Sequence, residues 1–129
     1  MKLEGIILRL GITDTNGYFF SKDSNVAYPE TVLINKGLED PYDTPEHPIG
    51  VCAITRKGDD FLGHADVLDE YLDDSTDGKY FVAGVFDRVN LKKTNHLTVI
   101  TDARLRYIGL VPKEESAELS IYLEKSEEE

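Results

Sequence analysis

Tryptophan is absent, cysteine and methionine occur once each, and cations are scarce, with 14 Lys and Arg against 25 Asp and Glu. Each shortage removes a class of function. A lone Cys52 excludes an intramolecular disulfide and any zinc site built from several thiolates. The formal net charge of −11 argues against a nucleic-acid partner, because that binding rests on Lys and Arg neutralising phosphates. It argues equally against an anionic membrane surface. Apolar runs are a few residues long, far short of the ~20 a membrane helix needs. The opening Met1-Lys-Leu-Glu-Gly5 leads into a strand-like Ile6-Ile7-Leu8, not into the h-region of a signal peptide. The expectation is a cytoplasmic protein with no membrane and no nucleic-acid partner.

What remains is a chain of 129 residues, 40% hydrophobic and 30% charged, an ordinary composition for one globular domain. A chain of this size buries roughly two-thirds of its unfolded surface, enough for its own core. Residues 1–112 read as a β-rich globular domain. Residues 113–129 form an acidic segment with seven Glu and two Lys, a last strand or helix followed by a solvated end.

The pattern within the domain is that of short strands between turns. Lys2 to Leu10 reads as a first strand, with Asn16-Gly17 behind it as a type I′ turn signal. Tyr18-Phe-Phe20 begins a second. Pro29-Glu-Thr-Val-Leu-Ile-Asn-Lys-Gly37 predicts a two-turn helix, with Pro at its start and Gly at its end. Pro41, Pro45 and Pro48 make the next stretch a loop, since proline cannot join a ladder or a helix interior. Ile49 to Thr55 and Phe61 to Val67 flank Lys57-Gly-Asp-Asp60 as a hairpin. Asp77-Gly78 lies between Phe61–Leu68 and Tyr80–Phe86 and is a further hairpin signal. Leu97–Thr101 and Arg104–Val111 are two more strands, the latter alternating Leu105 and Tyr107 against Arg106 and Ile108. Asp66–Leu72 is ambiguous, and Ala117–Leu123 is a final strand or a helix. The fold class is therefore α+β and predominantly antiparallel: a small β-barrel with one or two short helices.

Chemistry-bearing residues are few. His47 lies in the Pro-rich loop, His64 in a predicted strand and His96 just before one; their spacing matches no metal motif. Asp73-Asp-Ser-Thr-Asp77 lacks the alternation and the closing Glu of a calcium loop. No metal and no cofactor are expected. Cys52 sits in Ile49-Gly-Val-Cys-Ala-Ile54 and reads as a buried core thiol. Phe19, Phe20, Phe81 and Phe86 would line a pocket if the barrel held a small ligand.

Taken in order, several stretches resemble the prohead (capsid-maturation) proteases of tailed phages, a serine protease family related in fold to the herpesvirus assemblins. Glu4-Gly-Ile-Ile-Leu-Arg-Leu10 with Asp14-Thr-Asn-Gly17 is similar to that family's first strand and turn, and Pro29-Glu-Thr-Val-Leu33 to the short helix that follows. His47-Pro-Ile-Gly50, or Phe61-Leu-Gly-His-Ala-Asp-Val67, resembles its His region. Asp77-Gly-Lys-Tyr-Phe-Val-Ala-Gly-Val-Phe86 and Leu105-Arg-Tyr-Ile-Gly-Leu-Val-Pro112 resemble two later strands. The resemblance implies a barrel and a nucleophilic serine after the Asp-Gly turn. Residues 87–111 hold no serine; the hydroxyls there belong to Thr94, Thr98 and Thr101. The six serines fall in predicted loops or the tail. The expectation is a phage- or prophage-derived assembly protein without proteolysis, engaged with protein partners or with itself. The alternatives are a hydrolase with His47 or His64 as base and Thr94 or Thr98 as nucleophile, and a ligand-binding barrel.

Overall fold

The computed structural model describes residues 1–12, 18–36, 48–72, 78–111 and 120–126. They form eight strands: β1 (Lys2–Arg9), β2 (Tyr18–Ala27), β3 (Thr31–Lys36), β4 (Pro48–Lys57), β5 (Asp60–Val67), β6 (Lys79–Lys93), β7 (Thr98–Leu110) and β8 (Tyr122–Lys125). The described helix is a single 3-10 turn at Asp69–Tyr71.

Seven strands close into a barrel in the order β3-β4-β5-β1-β8-β6-β7, and β7 returns to β3. Six of the pairings are antiparallel, and those of β7 with β2 and with β3 are parallel. β8 is only four residues long, yet it bridges β1 and β6 and completes the ring. A barrel of this strand number has an interior that side chains fill. Here Leu3, Ile34, Cys52, Phe61, Ile108 and Leu123 do so, each no more than 1% exposed.

The predicted helix over 29–37 is a strand instead. Val32 and Ile34 are buried while Thr31 and Leu33 face outward, the period-2 pattern of a half-buried strand. The β-branched Thr31, Val32 and Ile34 also lose less side-chain freedom in a strand. Pro29 stands just ahead of the ladder, where its missing N–H costs nothing. The α+β description with short helices accordingly gives way to a nearly all-β barrel.

Other differences concern pairing and extent. β4 and β5 form the expected hairpin, from Gly50↔Val67 to Lys57↔Asp60, with Gly58 at φ 64° in its turn. The segments either side of Asp77-Gly78 do not pair with each other: β5 lies between β4 and β1, and β6 between β8 and β7. Gly78 is at φ 79°, so the turn chemistry is there while the partner is not. β1 and β2 are likewise not neighbours in the sheet; Asn16-Gly17 itself lies outside the described residues, as do Asp77 and His47. The strands expected at 97–101 and 104–111 are one, β7.

A bulge explains why β7 departs from simple alternation. Val85 pairs with Tyr107 and Phe86 with Leu105, so Arg106 is an extra residue opposite β6. Such an insertion shifts which side chains face inward. Leu105 and Ile108 therefore both belong to the core cluster.

Candidate functional site

Of the catalytic groups suggested by the sequence, His64, Thr94 and Thr98 are among the described residues and are not brought together, while His47 lies outside them. His64 is on the exposed side of β5, level with Glu4 on β1 and Ala53 on β4. Its Nδ1 lies 3.8 Å from a Glu4 carboxylate oxygen, and both side chains are well exposed. Thr94 lies in the turn joining β6 to β7 and Thr98 is the first residue of β7, and β1 and β8 separate β5 from β6 in the ring. The Thr94 hydroxyl donates to the Leu97 carbonyl at 3.2 Å and accepts from the Leu97 N–H at 3.2 Å, which makes it a staple of the turn. Thr98 is paired with Tyr18 and Lys93. No described hydrogen bond joins His64 to a hydroxyl, the first requirement of an acyl-transfer pair. His96 is exposed in the same turn as Thr94.

Two serines placed in loops by the sequence reading, Ser21 and Ser24, are in β2. The Ser24 hydroxyl is buried and donates to the Ile100 carbonyl, tying β2 to β7 where four residues of β2 bulge out of register. Cys52 is fully buried, and burial pushes its thiol up to about 11, with a backbone hydrogen bond from His64 opposing the shift slightly. A thiol so placed is not a nucleophile at neutral pH. Phe20 packs on Phe86 at 5.2 Å between ring centroids, whereas Phe81 meets Tyr122 at 6.0 Å. Phe81 thus lies in a different aromatic pair from Phe20 and Phe86. Among the described residues there is no group of three or more His, Cys, Asp or Glu able to hold a metal ion.

The fold gathers polar chemistry somewhere else, along the seam between β2, β3 and β7. β2 runs beside β7 as far as Ala27↔Arg104, and β3 resumes at Ile34↔Ile108. Six residues of one side, 28–33, thus face three of the other, 105–107. The ladder is interrupted because Pro29 cannot donate to it and because the Glu30 carbonyl turns to accept from Ile54 on β4. Two adjoining grooves of about 430 and 450 Å³ open there. The first is lined by Tyr28, Pro29, Leu105 and Arg106, the second by Asn25, Arg56 and Asp102; Ala27 and Arg104 line both.

Three of the chain's five arginines therefore border one seam, and each is positioned by a specific partner. Arg104 Nε donates to Asp87 Oδ1 at 2.8 Å, and its Nη2 donates to the other carboxylate oxygen. That doubly hydrogen-bonded pair raises the guanidinium pKa still further. Arg106 Nε lies 3.7 Å from the same carboxylate. Arg56 Nε donates to the Gly58 carbonyl at 2.9 Å, and its guanidinium carbon stands 5.0 Å over the Phe61 ring. Phe61 in turn packs edge-on against Tyr28 at 5.3 Å, so the aromatic pair links Arg56 to the groove wall.

Asp102 completes the rim. Across three strands, Asn25 Nδ2 donates to one of its oxygens at 3.3 Å and Asn90 Nδ2 to the other at 3.3 Å; Thr101 donates at 3.1 Å. These bonds, Asn25 first, hold the Asp102 carboxyl below its ordinary 3.8. Sequence reading missed the whole cluster. Arg56, Asp87 and the stretch Asp102–Arg106 are far apart in the chain, and the alternation read from the sequence placed only Arg106 among them on a face of a strand. Comparison with family models, with curated proteins and with solved structures finds no match for this chain.

Proposed function

We propose that this chain is a non-catalytic β-barrel module that works through protein contacts, derived from the assembly machinery of a phage or prophage. The observation that carries the first half is the separation of His64 from Thr94 and Thr98, set beside an interior filled by side chains. Acyl transfer needs a hydroxyl, a base and oxyanion donors within reach of one another. A ligand-binding barrel needs an enclosed pocket, and the two grooves at the seam border the wall instead.

The phage half rests on the resemblance of residues 4–112 to prohead proteases, with serine lacking between 87 and 111. A barrel kept after its nucleophile has gone is a scaffold for contacts, and fold by itself confers no activity. In this reading the acidic body keeps nucleic acid away, and no described helix is long and apolar enough to cross a membrane.

The test is reaction with a fluorophosphonate probe, with a covalent label read by mass. The expected result is no adduct on the native protein. An adduct that His64→Ala or His47→Ala abolishes would overturn the non-catalytic assignment. Portal, terminase or capsid genes flanking the coding sequence would support the phage assignment, and their absence would remove it.

A further inference from the structure

We infer that this chain associates with a second copy of itself, the basic end of the β6–β7 hairpin of one copy docking on an acid-rimmed apolar patch of the next. The inference rests on the protein-contact reading and gives it a partner and two surfaces.

Six large hydrophobic side chains are exposed among the described residues, and the fold sorts them into two places. Val89 and Leu91 lie near the end of β6. Every residue from Val89 to His96 is exposed, so neither face of this stretch is covered and it stands off the barrel. Among the described residues, β6 also has no ladder partner beyond Phe81 on the side away from β7, which leaves backbone groups open to another chain. Leu33, Val51, Leu68 and Tyr71 make the other place. Leu33 is opposite Val51, and Val51 is opposite Asp66. Leu68 follows two residues on, its N–H donating to the Ile49 carbonyl, and Tyr71 ends the 3-10 turn behind it.

Charge divides the same way. From Arg88 to Thr101 the sequence holds three cations and no acid, which leaves 11 cations against 25 acids elsewhere. At the base of this stretch Asp87 holds Arg104, and Asp102 holds the Asn25 and Asn90 amides. From Asp66 to Asp77 the sequence holds six acids and no cation. The Met1 ammonium lies 3.6 Å from Asp66 and 2.7 Å from Asp69, yet those side chains stay 66% and 76% exposed. Apolar contact inside a rim of opposite charges is the composition of a specific protein interface.

Geometry sets the mode of contact. Ile34, beside the patch, is level with Ile108 and through it with Gly84 on β6. Leu91 is seven positions further along that strand, roughly 20 Å, so the two surfaces of one copy do not meet. Two hairpin ends set against each other would bring Lys92 and Lys93 onto their own equivalents, a like-charge clash. Hairpin end on patch is therefore a heterologous contact, which builds a ring or an open chain.

Sedimentation velocity of the intact chain, over a wide range of concentration at low and high salt, tests the proposal. The parent should form larger species as concentration rises at low salt and return toward monomer at high salt, which screens the charged rim. Lys92→Ser with Lys93→Ser should weaken association about tenfold, and so should Leu68→Ser with Tyr71→Ser. All four positions are exposed, and both variants should keep the parent's far-UV spectrum and unfolding transition. Mixed together, the two variants should form a one-to-one heterodimer, because one retains the patch and the other the hairpin end. A parent that stays monomeric at every concentration would overturn the proposal. So would a patch variant that associates as the parent does, the signature of hairpin ends pairing with each other, or a mixture that stays monomeric. None of these outcomes bears on fluorophosphonate labelling, so a failure here is separable from a failure of the non-catalytic reading.

Discussion

At the residue scale, the largest fully buried side chains carry the clearest stability predictions. Phe61 is 1% exposed and touches both Tyr28 and Arg56. Phe61→Ala should cost about 3–5 kcal/mol, the usual loss for emptying a core aromatic site, measured by urea denaturation. Cys52 predicts a pH dependence. Its folded pKa of about 11 stands above the ordinary 9.0, so the unfolded chain releases this proton first. The associated stability is intact below pH about 9 and is lost as pH rises through about 11, up to about 2–3 kcal/mol. Unfolding followed over that interval should show the loss, and Cys52→Ala should flatten it. Asp102 has the opposite sign: its folded pKa is depressed, so its contribution is present above the ordinary value and fades as pH falls below it. NMR titration of Asn25→Ala and Asn90→Ala should show the Asp102 carboxyl moving back up. A sequence cannot show these effects, because Asp102 is paired with residues 77 and 12 positions away.

At the scale of elements, the β4–β5 hairpin was legible because its turn and both apolar faces lie within twenty residues. Strand β3 was misread because Pro, Glu and Gly at 29, 30 and 37 imitate helix boundaries. The alternation of Val32 and Ile34 acquires its meaning only from β4 on one side and β7 on the other. Glycine also acts at this scale. A Cβ on Gly5 would meet the Tyr122 carbonyl oxygen and lie 3.1 Å from Leu123 Cα, both backbone atoms of the short strand β8. Gly5→Ala should therefore push β8 off β1 and destabilise the barrel by about 1–3 kcal/mol. Amide hydrogen exchange should report the change first at Leu123 and Lys125. Protection unchanged there would contradict the role given to Gly5.

For the whole molecule, closure is the property on which the rest depends. β8 is the narrowest link, yet Leu123 within it is fully buried, and without it β1 and β6 would each present an open edge. Open edges invite pairing with other chains. Truncation after Ser120 should abolish the cooperative unfolding transition and produce a species that binds a hydrophobic dye and aggregates. A truncated chain that kept one sharp transition would show that the ring does not need β8. Closure also accounts for the arginine seam, since the wall is interrupted where β2 gives way to β3 as the partner of β7.

Local chemistry sets the strand-rich character, the β4–β5 turn and the burial of Cys52, because each depends on neighbours a few positions away in the chain. Which strands become neighbours is a long-range matter: β1 meets β8 across more than a hundred residues, and β7 pairs in parallel with β2 and β3. Those choices separate His64 from the threonines and bring Arg56, Arg104 and Arg106 to one seam. They follow from which assembly buries the apolar faces and closes seven of the strands into a ring, a property of the closed sheet and of no single segment.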